Sequence, residues 1–384
     1  MSTVARIAAT ALTLPLSLLQ PTPGTPRHPA VAPSRPTDVE RIRADQWHLQ
    51  FLNATQAQLI SKGDGVIVAV PDTGVDPHPD LTNNLLVGTD TIPGGSGDGR
   101  TDLNSHGTSM AGLIGAHGRT AETGALGIAP NSKILPIKAS TSDNFGAADD
   151  LASAIEFAIS KQVQVISISS GGASTPRLVR AIEAALAANI ILVAAAGNAP
   201  DSHVAYPASE EGVITVGGVD RAGQHAAVSV TGPEVDVVAP AVDIYSTSYG
   251  GKYSKGTGTS SATAIVAGAA ALIRSKYPYL PAQEVAHRLT ATAVDKGPPG
   301  RDDEYGYGVI DLVAALTADV PPLGFESVTA PAGGGPTTTA DDENGGTSVR
   351  GLATLGMIVA VGVGWAFVAR RRRRGDDLPP RISR

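Results

Sequence analysis

Short, continuously apolar runs recur along the middle of the chain: Val66-Ile-Val-Ala-Val, Ile134-Leu-Pro-Ile, Val163-Gln-Val-Ile-Ser-Ile and Ile190-Ile-Leu-Val-Ala-Ala-Ala. Runs of this length without polar alternation are what strands buried on both faces require. Between them the period changes. Leu151, Ile155 and Ile159 recur every fourth residue, and Leu178, Ile182 and Leu186 do the same, which predicts two helices with one apolar face each. Alternating strands and helices give an α/β fold: a parallel central sheet with helices on both faces, whose ligands bind beyond the carboxyl ends of the strands.

Two further apolar runs lie near the ends. Arg6 precedes thirteen uncharged residues, Ile7 to Leu19, and then a Pro-rich stretch; a charged-then-apolar segment too short to span a bilayer reads as an export signal, so residues 1–36 are expected to be a signal peptide and Pro-rich segment. Gly351 to Ala369 is uncharged and ends in five arginines, Arg370–Arg374. As a helix it is about 28 Å long, close to the roughly 30 Å hydrocarbon core, and the arginines place its far end in the cytoplasm. The expected order is therefore a folded domain over 37–318, a Pro/Gly/Thr-rich linker over 319–350 with a reach of about 30 Å, a transmembrane helix over 351–369 and a basic cytoplasmic tail over 370–384. This makes a single-pass protein of the plasma membrane with its domain outside. Residues 33–60 are open to three readings: a segment removed on maturation, an inhibitor, or a wrap around the domain.

Composition narrows the chemistry. Only 17% of the 384 residues are charged and 42% are hydrophobic, which excludes a disordered polymer. Aromatics are 4%, so small side chains fill the core. Cysteine is absent, which removes disulfides, thiolate metal sites and a cysteine nucleophile. The net charge of −7 is uneven: the first 36 residues carry +3 and the last fifteen +5, leaving −15 on the rest. An acidic body with no basic stripe repels a phosphate backbone, so no nucleic-acid partner is expected. No H-E-x-x-H pattern is present to suggest a metallohydrolase.

Three motifs put a reactive side chain where a strand ends or a helix begins. In Ala69-Val-Pro-Asp72-Thr-Gly74 an apolar strand runs into a carboxylate. In His106-Gly-Thr-Ser-Met-Ala-Gly112 a histidine precedes the small residues of a predicted helix. In Gly258-Thr-Ser260-Ser-Ala a serine sits at a helix N-terminus, whose N–H groups favour negative charge. Each alone is common as a turn, a structural histidine or a cap. Together, in the order Asp…His…Ser, the chain resembles a subtilisin-like serine protease over roughly residues 60–315.

That resemblance implies a subtilisin-like fold and assigns roles: Ser260 as nucleophile, His106 as its base, Asp72 as the group that orients the imidazole, and Asn198 as the oxyanion donor beside the Ser260 N–H. Ser169, Ser170, Gly171 and Gly172 match the segment that pairs with substrate backbone, and Ala194–Gly197 the opposite wall of the specificity pocket. No cofactor is required. Acidic loops such as Asp98–Asp102 are where relatives can hold structural calcium, although no pattern identifies a site.

Finer features are similar to mycosins, the membrane-anchored serine proteases of type VII secretion systems: Asp45-Gln-Trp-His-Leu49, Gly97-Asp-Gly-Arg-Thr-Asp102, Leu126-Gly-Ile-Ala-Pro130, and the linker, spanning run and arginine tail. The implied partners are a protein or peptide substrate, the membrane, and the type VII secretion membrane complex. The sequence departs from that family in lacking cysteine, in Pro71 before Asp72, and in Ala264 and Ile265 where proline and an aromatic or histidine are usual. These departures motivate an alternative, a non-catalytic structural subunit using the protease fold as an assembly surface.

Overall fold

A computed structural model of the chain describes residues 37–141, 147–199 and 202–324. The expected leader (1–36), spanning helix (351–369) and tail (370–384), and the linker beyond Gly324, lie outside the described residues. Every described residue falls on the N-terminal side of a division at Glu326. Among the described residues no helix is long and apolar enough to cross a membrane.

In chain order the strands are β1 (Ile67–Asp72), β2 (Thr89–Asp90), β3 (Lys133–Lys138), β4 (Val165–Ile168), β5 (Ile191–Ala195), β6 (Ile214–Val219), β7 (Val237–Pro240), β8 (Ile244–Ser248) and β9 (Lys252–Gly256). The helices are α1 (Asp38–Asp45), α2 (Trp47–Phe51), α3 (Ala54–Gln58), α4 (His106–Gly115), α5 (Ala148–Ser160), α6 (Pro176–Ala187), α7 (Thr259–Lys276), α8 (Ala282–Ala291) and α9 (Leu312–Thr317). The first seven strands form one parallel sheet in the order β2-β3-β1-β4-β5-β6-β7, and β8 and β9 form an antiparallel hairpin.

The four apolar runs become β1, β3, β4 and β5. Every residue of β4 and β5 is buried, as strands covered on both faces must be. One cover is made by α4 and α7, which pack on each other and on the sheet, the other by α5 and α6. Pro176 opens α6 at its first turn, where a missing N–H costs nothing, and Thr175 Oγ1 accepts from Leu178 N at 3.2 Å. Pro71 is tolerated for a related reason: the β1–β4 pairing ends at Ala69↔Ile166, and Pro71 lies beyond it, opposite Ile137 of β3 alone.

Chain direction reverses its sideways progress at β1, which lies between β3 and β4 although both follow it in sequence. Such a switch leaves a crevice beyond the carboxyl end of the strand, and Asp72 is the last residue of β1.

The described part of residues 33–60 packs against the domain through side-chain hydrogen bonds. Gln46, 2% exposed, donates from Nε2 to Leu126 O (3.0 Å) and Tyr245 O (3.3 Å) and accepts from Leu126 N (2.8 Å). Trp47 Nε1 reaches Asp243 O at 3.2 Å, and Gln58 Nε2 reaches Gly127 O at 2.8 Å. None of these partners lines the crevice described next.

Candidate active site

The end of β1 and the start of α4 meet through a close backbone approach. A side chain at Gly107 would place its Cβ 2.1 Å from Gly74 O, and one at Gly74, where φ is 100°, would place it 2.2 Å from Thr101 O. Both glycines are needed for the contact. The approach brings His106, the first residue of α4, against Asp72. Nδ1 of His106 lies 2.8 Å from Oδ1 and 3.0 Å from Oδ2 of Asp72. The Asp72 side chain is 5% exposed and that of His106 19%, so the imidazole shields the carboxylate and presents its other edge outward. A second donor, Thr73 N, holds Asp72 Oδ1 at 2.7 Å. A carboxylate on Nδ1 fixes the tautomer with Nδ1 protonated and leaves Nε2 as the basic nitrogen.

Ser260 is the second residue of α7 and is 7% exposed. Its hydroxyl donates to Ser169 O at 3.3 Å. The Ser260 N–H belongs to the first turn, where amides have no partner within the helix. Asn198 lies three residues beyond β5. Its Oδ1 accepts from Thr259 N (2.7 Å) and Thr259 Oγ1 (3.0 Å). Because a backbone N–H can only donate, this pair settles which end of the amide faces Thr259. The Asn198 NH2 is left for the cleft, and a Cβ at Gly258 would stand 3.0 Å from Nδ2.

His106, Ser260, Asn198, Ser169, Ser170 and Gly171 line one cleft of about 710 Å³. Ala195, Ala196 and Gly197 form a wall of it, while Ala194 is fully buried in β5. A neighbouring hollow of about 240 Å³, walled by Leu151, Leu178 and Tyr206, opens beside Asp72 and Ser169–Gly172. Gly172 also pairs with Tyr206, its N–H donating to Tyr206 O at 2.8 Å. A base, a hydroxyl and an amide donor in one cleft can transfer an acyl group.

Sequence reasoning did not assign Thr73, Asp102 or Thr259, whose hydrogen bonds hold Asp72, α4 and Asn198. The signals were present, as a threonine after Asp72 and another before Ser260, but their roles depend on contacts between distant segments. Asp98 Oδ2 is held by Arg100 Nε at 2.8 Å, and Asp102 is occupied by N–H and O–H donors. Among the described residues no group of three or more metal-ligating side chains gathers.

The chain is 41% identical over 260 residues to subtilisin DY of Bacillus licheniformis, covering 66% of this chain and 92% of that protein. Among solved structures, the MycP3 protease from the type VII (ESX-3) secretion system is 34% identical with a TM-score of 0.63, covering 71% of this chain and 88% of that one. MycP1 from Mycobacterium smegmatis is 29% identical with a TM-score of 0.64, covering 73% and 88%. Residues 63–308 match the subtilase family, Peptidase S8. A parallel sheet with its crevice at β1, and this match across most of the described residues, lead to one assignment: the chain belongs to the subtilase family and is a serine endopeptidase.

Proposed function

We propose that Asp72, His106 and Ser260 are the catalytic triad, that Asn198 is the oxyanion donor, and that the enzyme works on exported proteins from the outer face of a membrane, in a type VII secretion system. The observation that carries the chemistry is the 2.8 Å Asp72–His106 contact beside Ser260 and Asn198 in one cleft. Ser260 Oγ attacks the scissile carbonyl carbon while His106 Nε2 takes its proton, and Asp72 stabilises the imidazolium. The oxyanion is received by Asn198 Nδ2 and the Ser260 N–H. Collapse expels the amine, which takes the proton from His106, and water repeats the attack to release the acid. The substrate lies extended along Ser169–Gly172. Asn198→Ala is expected to lower kcat by about 10²- to 10³-fold with KM little changed, the range known for such a donor in subtilisin; steady-state kinetics on a peptide substrate check it.

Placement outside the membrane is supported by the apolar run after Arg6, the linker, and the 351–369 run before Arg370–Arg374. Association with type VII secretion is supported by the likeness to MycP3. A membrane-impermeant fluorophosphonate applied to intact cells tests both parts. Wild type should be labelled, Ser260→Ala should not, and deletion of residues 351–384 should release the labelled protein from the membrane fraction. Labelling only after lysis, or equal labelling of Ser260→Ala, would overturn the reading.

A further inference from the structure

Asp102 is 1% exposed and accepts five hydrogen bonds, none from a cation. Oδ1 accepts from Thr73 Oγ1 (3.0 Å), Asn104 N (2.9 Å) and Ser105 N (3.0 Å). Oδ2 accepts from Thr108 N (3.0 Å) and Thr108 Oγ1 (2.6 Å). A carboxylate out of water is costly unless such donors surround it, and these donors belong to the two segments that carry Asp72 and His106.

Thr73 follows Asp72 in the chain, and its hydroxyl, while donating to Asp102, accepts from Gly107 N at 3.0 Å. Gly107 follows His106. Ser105, which precedes His106, has φ 83° and makes no side-chain cap of its own. The first amides of α4 are instead satisfied from outside the helix: His106 N by Asn104 Oδ1 (3.2 Å), Gly107 N by Thr73 Oγ1, and Thr108 N by Asp102 Oδ2. Every α-helix begins with amides that need such partners. Here they dock α4 onto the end of β1.

We propose that Asp102 is a positioning residue for the Asp72–His106 pair: with Thr73 it sets how closely the start of α4 approaches the end of β1, and so where the imidazole points. The inference rests on the triad proposed above. Five donors suit an acceptor-only group with two oxygens. Asp102→Asn keeps the shape but turns one oxygen into an NH2 that faces donors.

The test uses the full-length chain with Asp102→Asn, His106→Ala and the double substitution, assayed on a peptide substrate with thermal unfolding in parallel. Asp102→Asn is expected to lower kcat by about 10²-fold, the effect of roughly a 1 Å misplacement, and to change KM by less than about twofold. In the His106→Ala background it should cost nothing more, because an absent imidazole has no orientation to lose. A further loss of similar size in that background would overturn the proposal, since Asp102 would then act on the fold at large. Wild-type turnover in His106→Ala would remove the triad reading itself, and this one with it. Thr73→Val, which deletes the hydroxyl shared by Asp102 and Gly107, should reproduce the kcat loss and its non-additivity even where Asp102→Asn does not fold; wild-type kcat in a folded Thr73→Val overturns the proposal.

Discussion

Ser260→Ala is expected to lower turnover by about 10⁶-fold, the loss that removing the nucleophile causes in subtilisin, while leaving the fold unchanged. The fold should survive because the hydroxyl contributes little to it. Its hydrogen bond to Ser169 O is long, at 3.3 Å, so its loss costs less than about 1 kcal/mol, and Ala is a better helix former than Ser at a position inside α7. The activity should not survive, because no neighbouring group replaces the alcohol: Ser261 lies next on a helix, rotated about 100° away. A residue of about 10³- to 10⁴-fold over the uncatalysed reaction should remain, from the oxyanion donors and substrate binding. Steady-state kinetics with thermal unfolding on the same preparation check both halves. A loss smaller than about 10³-fold in a folded protein would mean that another group attacks, because it would fall short of what any triad member carries.

The sequence and the structure agree where a physical signal is local. β1, β3, β4 and β5 were legible as continuous apolar runs, and α5 and α6 from their four-residue spacing, because burial on two faces or one leaves those marks directly. β6 and β7 were not. β6 carries Gly217 and Gly218 in its middle and β7 is four residues ending in Pro240, so neither has the apolar length that identifies a strand. The placing of β1 between β3 and β4, which makes the crevice, has no local trace at all. The site divides the same way. Asp72, His106 and Ser260 sit at element ends that the three motifs mark, whereas Asn198, three residues beyond β5, was assigned through the resemblance. Asp102 reads in the sequence only as part of an acidic loop. Only the contact of that loop with Thr73 and α4 makes it a buried anchor. Thr259 likewise reads as a turn residue until β5 brings Asn198 to it.

The same folding that assembles the cleft buries His48, and stability is expected to fall as the solution is acidified through the histidine range. His48 lies on α2, is fully buried, and neither ring nitrogen has a hydrogen-bond partner among the described residues. Burial pushes its pKa from the ordinary 6.5 down to about 3. Between those values the unfolded chain binds a proton that the folded chain refuses. The stability contributed by a neutral His48 is therefore complete above about pH 6.5 and is lost as pH falls toward 3, at about 1.4 kcal/mol per pH unit. That is about 2 kcal/mol by pH 5 and about 5 kcal/mol over the whole range. His78, also fully buried, is lowered chiefly by its burial, with Asp80 opposing the shift, and works in the same direction. Asp236, raised by burial, works against them, because a folded state that holds its proton more tightly gains from acid. His48→Leu isolates the first contribution. It removes two buried polar atoms that have no partners, so it should not destabilise the protein at pH 7.5. By pH 5 it should be more stable than its parent by about 2 kcal/mol. Urea unfolding at the two pH values, in a Ser260→Ala background so that the protein does not digest itself, measures the difference. Equal loss of stability in both proteins would mean that His48 gains a proton as readily folded as unfolded, and that acid reaches the α2 packing before the chain opens.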